Sequence, residues 1–348
     1  MSTTVPKPLF PVDAAWLERL TEPALLPDLP IVDPHHHLWD RPGSRYLLDE
    51  LLGDLGSGHR IEATVFVECR SMWRADGAPR MRPVGETEFV AGVAAMSASG
   101  GYGPAAVCAG IVGHADLRAG ARVRPVLEAH VARGGGRFRG IRHITAHDPS
   151  PAVVSSSVAP PPGLLADADF RAGFAELAPL GLSFDAWLYQ TQIRELAALA
   201  DAFPATTIVL DHLGGVLGVG PYAGRRNELF ATWSRDLRDL ARRPNVVVKL
   251  GGLGMRTCGF GFTEHAEPPS SEQLAANWAP YVETGIEAFG VERCMFESNF
   301  PVDKGSCSYG VLWNAFKRLA AGSSDAERAS LFAGSARRVY RLETEAPP

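Results

Sequence analysis

The chain has 348 residues, 46% hydrophobic and 21% charged, proportions that fit a globular protein with a sizeable core and exclude disordered or collagen-like classes. Thirty-four Lys and Arg stand against 39 Asp and Glu, a formal net charge of -5 with no dense basic block, which argues against nucleic acid and anionic membrane as partners. No apolar run approaches the roughly 20 residues of a membrane helix, and MSTTVPKPLF lacks a basic-then-apolar leader, so the cytoplasm is the expected location.

Residues 1–30 read as an N-terminal cover, with a short helix over DAAWLER (13–19) capped by Asp13. Eight short apolar runs then alternate with helically spaced stretches: 31–33, 63–68, 105–113, 138–144, 182–188, 207–211, 245–250 and 293–297. Runs such as TIVLD and NVVVKL are apolar on both faces, as strands of a covered parallel sheet are. Segments leading into strands are terse, whereas 70–85, 146–166, 214–226 and 251–271, which follow strands, are long. That asymmetry predicts an α/β fold, a distorted (β/α)8 TIM barrel over 31–340 with long loops on its C-terminal face, where substrate is expected. A doubly wound open sheet is the alternative, though no GxGxxG or P-loop motif accompanies it. Residues 341–348 read as a tail. Five scattered cysteines without a CxxC pair fit reduced thiols, and none has a histidine partner that would mark a nucleophile.

Chemistry concentrates where the apolar runs end. In Asp33-Pro34-His35-His36-His37-Leu38-Trp39, extended backbone turns His35 and His37 to one side and His36 to the other. That is metal-ligand spacing, and equally the spacing of a hydrogen-bonded structural cluster; a metal site would need a third protein ligand. Glu68, Arg142, His143, Asp185, His212, Lys249, Asn299 and Asp303 fall at the ends of, or just after, other runs. Charges there are costly to bury unpaired, which favours a paired constellation at one cleft, although Arg142 or Lys249 could simply neutralise Glu68 or Asp185. Trp39, Arg70 and Trp73 are placed to shape the pocket, Arg142 to clamp a substrate carboxylate, and CGFGF (258–262) to act as a lid.

The HxH after the first strand, FVEC, GIRH, DHLGG and RCMFESNFP together resemble the amidohydrolase superfamily. Within it they resemble the family-2 branch containing sugar-acid lactonases and 2-pyrone-4,6-dicarboxylate lactonase. The resemblance implies a distorted barrel hydrolysing a small lactone, ester or amide. It matches His35 and His37 to a first-strand pair that holds a divalent metal in many relatives and only substrate in metal-free lactonases. It matches His212 to a sixth-strand histidine that ligates metal or positions the carbonyl. One divalent ion, Zn or Mn, is thus the implied cofactor, with metal-free chemistry the alternative, and His35, His37 and His212 the implied ligands.

One position departs from the pattern. Relatives carry an aspartate after strand eight, and here Ser298-Asn299-Phe300-Pro301 offers an asparagine, which cannot serve as a carboxylate base. Asp303 is the first substitute, then Glu297 or Glu68. Phe184-Asp185 stands where binuclear relatives have a histidine, so a two-metal centre is not expected. The expected reaction is lactone or ester opening by activated water, with His212, Asp303, Asn299 and Glu68 catalytic, and Arg142, Arg70, Trp39 and Lys249 binding a small, carboxylated substrate. Non-oxidative decarboxylation and a non-catalytic ligand-binding barrel are the alternatives. Homo-oligomerisation is left open, since no heptad seam marks an interface.

Overall fold

The computed structural model describes residues 11–342; the first ten residues of the expected cover and positions 343–348 of the expected tail lie outside them. Eight parallel strands form one sheet whose order follows the chain: β1 (Ile31–His36), β2 (Ile61–Val67), β3 (Ala106–Gly113), β4 (Phe138–Arg142), β5 (Ser183–Ala186), β6 (Ile208–Leu210), β7 (Val246–Leu250) and β8 (Cys294–Phe296). Helices such as Val84–Ala98, Arg226–Leu240 and Ser271–Phe289 connect them, and Tyr309–Leu319 follows β8. The sheet comes nearly full circle. The His37 N–H donates to the Phe300 carbonyl (2.8 Å) and the Asn299 N–H to that of His35 (2.9 Å), stitching β1 to the segment after β8. A strand order that never reverses rules out the doubly wound alternative.

Side-chain alternation divides the core in two. Val32, Val65, Val112, Val209, Val247 and Met295 form an inner cluster with Ala336 and Tyr340 of the C-terminal helix Ser335–Tyr340, which plugs the barrel. Phe66, Phe184, Leu210, Val248 and Phe296 face outward into the larger cluster shared with the helices. Burying such a side chain contributes about 1.5–3 kcal/mol. Two residues further along the inner row, Val209 is followed by Asp211, Val247 by Lys249 and Met295 by Glu297. Those polar groups gain nothing from burial and must find partners.

Before β1, the predicted helix is one turn, Ala14–Leu17, with Asp13 accepting the Trp16 N–H at 3.0 Å. This segment reaches across to the loop after β7, where Trp16 Nε1 donates to the His265 carbonyl (3.1 Å), and Lys317 Nζ donates to the Leu25 and Leu26 carbonyls (2.7 and 2.8 Å). The CGFGF segment, expected as a lid, lines neither of the two cavities at the strand ends. Phe260 stacks on Phe262 with centroids 5.5 Å apart, Arg226 lies over Phe260, and Phe262 packs on Trp278, which fixes the segment to helix Ser271–Phe289. A hairpin absent from the sequence reading, Trp39–Arg41 paired antiparallel with Ser44–Tyr46, stands at the mouth instead. All five cysteines are free and buried. Among the described residues no helix is long and apolar enough to cross a membrane.

Candidate active site

His35 and His37 converge as their spacing predicts, with ring centroids 4.9 Å apart, and His212 joins from the end of β6 at 4.5 Å from His35. His36 turns away, its Nε2 2.8 Å from Thr64 Oγ1. His212 and Leu213 both hold positive φ (56° and 53°), a conformation that costs energy outside glycine and persists only when neighbours impose it. Gly251 and Gly252 explain the fit. A Cβ on Gly252 would lie 2.5 Å from His212 Cβ, and one on Gly251 would lie 2.4 Å from Glu297 Cγ.

Glu297 organises these rings. His212 Nδ1 lies 2.6 Å from Glu297 Oε1, which also accepts the His212 backbone N–H at 3.1 Å. A carboxylate only accepts, so the partner assigns the proton to Nδ1 and leaves a lone pair on Nε2. His35 Nδ1 lies 2.8 Å from Glu297 Oε2. Burial alone would raise the Glu297 pKa, but His212 and His35 outweigh it and hold the carboxyl at about 2. His37 Nδ1 donates to the Val67 carbonyl at 2.8 Å, and burial lowers its pKa well below the usual imidazole range. Sequence reasoning had ranked Glu297 behind Asp303.

Asp303 sits one layer back. It is fully buried, accepts the Gly254 N–H (2.9 Å) and Asn299 Nδ2 (2.8 Å), and does not line the cavity; burial pushes its pKa to about 7. Asn299 separates it from the cavity and holds a positive φ of 54°.

Below the histidines lies an ionic floor. Lys249 Nζ is 2.8 Å from Asp185 Oδ2, 3.1 Å from Asp211 Oδ1 and 3.1 Å from His35 Nδ1, and the Tyr340 hydroxyl donates to Asp185 at 2.5 Å. Burial pulls the Lys249 pKa down, but Asp185 and Asp211 more than reverse it, so the charge is held. Lys249 is fully buried and lines neither of the two cavities at the strand ends, so its ammonium faces the floor and not the expected substrate contact. Arg142 donates from Nε to Glu68 Oε1 (3.0 Å) and from Nη2 to the Glu68 carbonyl, while Nη1 reaches within 3.4 Å of His35 Nε2. Glu68 is therefore the partner of Arg142 and does not line the cavity that His212 faces.

That cavity, ≈ 290 Å³, opens at the C-terminal ends of the strands. His37, His212, Asn299 and Trp39 line it, together with three guanidinium groups, Arg41, Arg70 and Arg142, and the serines 155–157. No carboxylate is among the described residues lining it. Arg41, which the sequence reading overlooked, lies 4.3 Å over the Trp39 ring and donates to the Cys69 carbonyl at 2.5 Å. Glu86 holds the loop that carries Arg70, accepting the Cys69 and Ser71 N–H groups at 3.0 and 2.8 Å.

His35, Asp211 and His212 are all buried and offer donor atoms within 4.8 Å of one another, the one group of this kind among the described residues. Asp211 was not in the expected ligand set, and His37, which was, lies outside this group. Both Asp211 oxygens and Glu297 Oε2 lack an aligned hydrogen bond, although Lys249 approaches Asp211 and the His35 ring approaches Glu297. Four buried carboxylates, Glu68, Asp185, Asp211 and Glu297, face two cations, Arg142 and Lys249, so the centre accommodates further positive charge. Fit is incomplete: the Lys249 ammonium already stands beside two of the donors.

A family model described as Amidohydrolase matches residues 32–342. An uncharacterized protein, y4mH of Sinorhizobium fredii, is 34% identical over 90% of this chain and 99% of its own length. An L-fucono-1,5-lactonase of Burkholderia multivorans is 31% identical over 67% of this chain and 72% of its own. Among solved structures, an amidohydrolase from Burkholderia multivorans with bound zinc superposes with a TM-score of 0.67 and 27% identity, covering 90% of this chain and 99% of that one.

Proposed function

The chain belongs to the amidohydrolase family and is an enzyme of hydrolytic type, and from that premise we propose that it opens a small carboxylated lactone by attack of water. The observation that carries this reading is the pairing of His212 with Glu297 at the wall of a cavity rich in guanidinium groups and free of carboxylates. Asp303 and Glu297 lie behind other side chains, and His37 is made a weak base by burial.

In this reading His212 Nε2 takes the proton of the attacking water, and Glu297 fixes the tautomer and stabilises the imidazolium that forms. Asn299, whose Nδ2 is engaged by Asp303, presents its carbonyl oxygen to orient the water. Arg41 and Arg142 hold the substrate carboxylate, and Trp39 covers one ring face. One lone pair on His212 cannot serve both a proton and an ion. Assigning it to the proton leaves His35 and Asp211 as protein ligands for a divalent ion, which when bound would polarise the substrate carbonyl as a Lewis acid. Two protein ligands are fewer than a tightly held zinc normally takes, so the ion, zinc or manganese, is expected to exchange readily.

The test is a panel of six-membered sugar lactones with and without a carboxylate, L-fucono-1,5-lactone among the neutral ones, followed by acid release. Carboxylated members are expected to be the better substrates. His212→Ala should lower kcat by about 10²–10⁴-fold, the usual worth of a positioned acid-base group, and chelator treatment should lower it by a comparable factor, since carbonyl polarisation by an ion is worth several kcal/mol. Folded His212→Ala protein with parental kcat would overturn the assignment.

A further inference from the structure

A second cavity, ≈ 230 Å³, lies beside the first on the other face of the Glu68–Arg142 pair. The two share Arg70 and Ile144 in their walls, so the second is one side chain from the reaction site without containing any of its histidines. Its polar groups form a built set. Glu68 is fully buried, its Oε1 held by Arg142 and its Oε2 without a hydrogen-bond partner. Trp73 Nε1 is also buried and unpartnered. Each such atom forgoes a hydrogen bond it would have in water, which a ligand hydroxyl placed against it would restore.

Two histidines complete the wall with opposite polarity. His143 Nδ1 accepts the Leu117 N–H at 3.3 Å, which places its proton on Nε2 as a donor. His114 Nδ1 lies 3.2 Å from the Arg142 carbonyl and must donate to it, which leaves Nε2 as an acceptor. Burial lowers both pKa values, to about 3 for His143, so both rings are neutral. Their centroids are 5.3 Å apart. Acceptors at Glu68 and His114 thus stand among donors at Trp73 and His143, the pattern that hydroxyl groups satisfy because each donates once and accepts.

Charge supplies the other half. Asp116 and Arg118 neutralise each other through two contacts, 2.9 and 3.1 Å. Arg70, 4.7 Å over the Trp73 ring, and Arg80 line the same cavity with no carboxylate partner among the described residues. The cavity therefore keeps an excess of positive charge beside alternating donors and acceptors.

We propose that this second cavity is a binding site for an open-chain hydroxycarboxylate, its carboxylate on Arg70 and Arg80 and its hydroxyls between Glu68, His114, His143 and Trp73. Opening a lactone yields a molecule of this class, so under the hydrolase reading the site holds the reaction's own product, one wall away from where it forms. The binding itself rests on the cavity alone.

Three probes separate its requirements by titration calorimetry on the purified full chain. Gluconate carries both features, hexanoate only the carboxylate and glucitol only the hydroxyls. Gluconate is expected to bind, hexanoate about tenfold or more weakly as the hydroxyl contacts are lost, and glucitol not measurably. Arg80→Ala removes an exposed side chain that the reaction site does not use. It should weaken gluconate about tenfold or more, since a charge-assisted hydrogen bond to the carboxylate is lost, and leave turnover unchanged. Trp73→Phe should weaken gluconate without abolishing hexanoate. Arg41→Ala, in the first cavity, should leave gluconate affinity as it was. Absence of gluconate binding to the parent, or binding lost in Arg41→Ala and kept in Arg80→Ala, would overturn the proposal. Neither result touches the lactone reading, which turnover alone decides.

Discussion

Lys249 and Arg41 are both cations within a few ångströms of the reaction site, yet their surroundings differ in kind. Lys249 is sealed beneath the histidines with Asp185 and Asp211 as counter-charges and Tyr340 locking Asp185 from below. Arg41 stands on the hairpin at the mouth, partly exposed, stacked on Trp39 and bonded to a single backbone carbonyl. A buried charge without partners costs several kcal/mol, so the floor's arrangement is set by mutual neutralisation and cannot be spared for a ligand. Rim charges are hydrated, cost little to leave unpaired and remain available. The difference separates residues that build the site from residues that greet substrate, although both kinds read alike in sequence.

Breaking the floor should give the largest effect. Lys249→Met takes from Asp185 the ammonium that neutralises it and leaves Asp211 facing Arg142 at 4.0 Å, and removal of one partner of a buried pair typically costs about 3–5 kcal/mol. Chemical denaturation is expected to show a loss of that order, with much of it regained when Asp185→Leu is added, because the stranded charge is then gone. An unchanged denaturation midpoint in Lys249→Met would remove the distinction between floor and rim.

The strand pattern made the barrel legible in sequence, since apolar alternation and terse helix-to-strand turns report directly on a covered parallel sheet. The convergence of His35 and His37 was equally legible, because period-2 geometry within one strand needs no tertiary knowledge. Partnerships were not. Glu297 bonds a histidine 85 positions earlier, and Tyr340 reaches Asp185 across 155 positions, and no local pattern encodes which of several inward carboxylates meets which cation. Lys249 read as a substrate contact for the same reason. Its isolation in VVVKL was visible, whereas the two aspartates that neutralise it come from β5, two strands away, and from the end of β6, in a register that only the sheet fixes. The parity of Met295 and Glu297 was a usable signal for placing Glu297 among the inward groups. The Gly251-Gly252 pair was a second, since two glycines ending an inward-facing strand announce a close approach.

A smaller effect should appear in the pH dependence of stability, where two buried carboxyls act in opposite directions. Glu297, held at about 2, contributes stability that is present above its unfolded value and is lost as pH falls toward 2. Asp303, raised to about 7 by burial, contributes stability that is full below its unfolded value of 3.8 and is lost as pH rises through 7. Between pH 5 and 7 the first is constant while the second declines. Over that window Asp303 removes up to about 1.4 kcal/mol per pH unit, against the opposite trend of the buried histidines, whose lowered pKa values make stability rise with pH up to their unfolded value of 6.5. Asp303→Asn, which cannot ionise, should shift the slope of stability against pH, read from urea denaturation, upward from that of the parent by that amount, whatever it does to the absolute stability. A slope identical to the parent would show that Asp303 does not carry the alkaline loss.

The smallest effect on stability, and the most selective one on function, belongs to the rim. Arg41→Ala removes one stacked guanidinium and one hydrogen bond from a part-exposed position, so the fold should lose no more than about 1 kcal/mol. If Arg41 meets the substrate carboxylate in both ground and transition states, its loss is uniform binding. KM for a carboxylated lactone should then rise about tenfold, the equivalent of about 1.4 kcal/mol, with kcat unchanged. The neutral lactone, lacking the carboxylate, should show no change in KM. A fall in kcat for both substrates would instead place Arg41 with the floor, as a residue that shapes the His212–Glu297 pair through the hairpin, and the division between the two regions would have to be redrawn at Trp39.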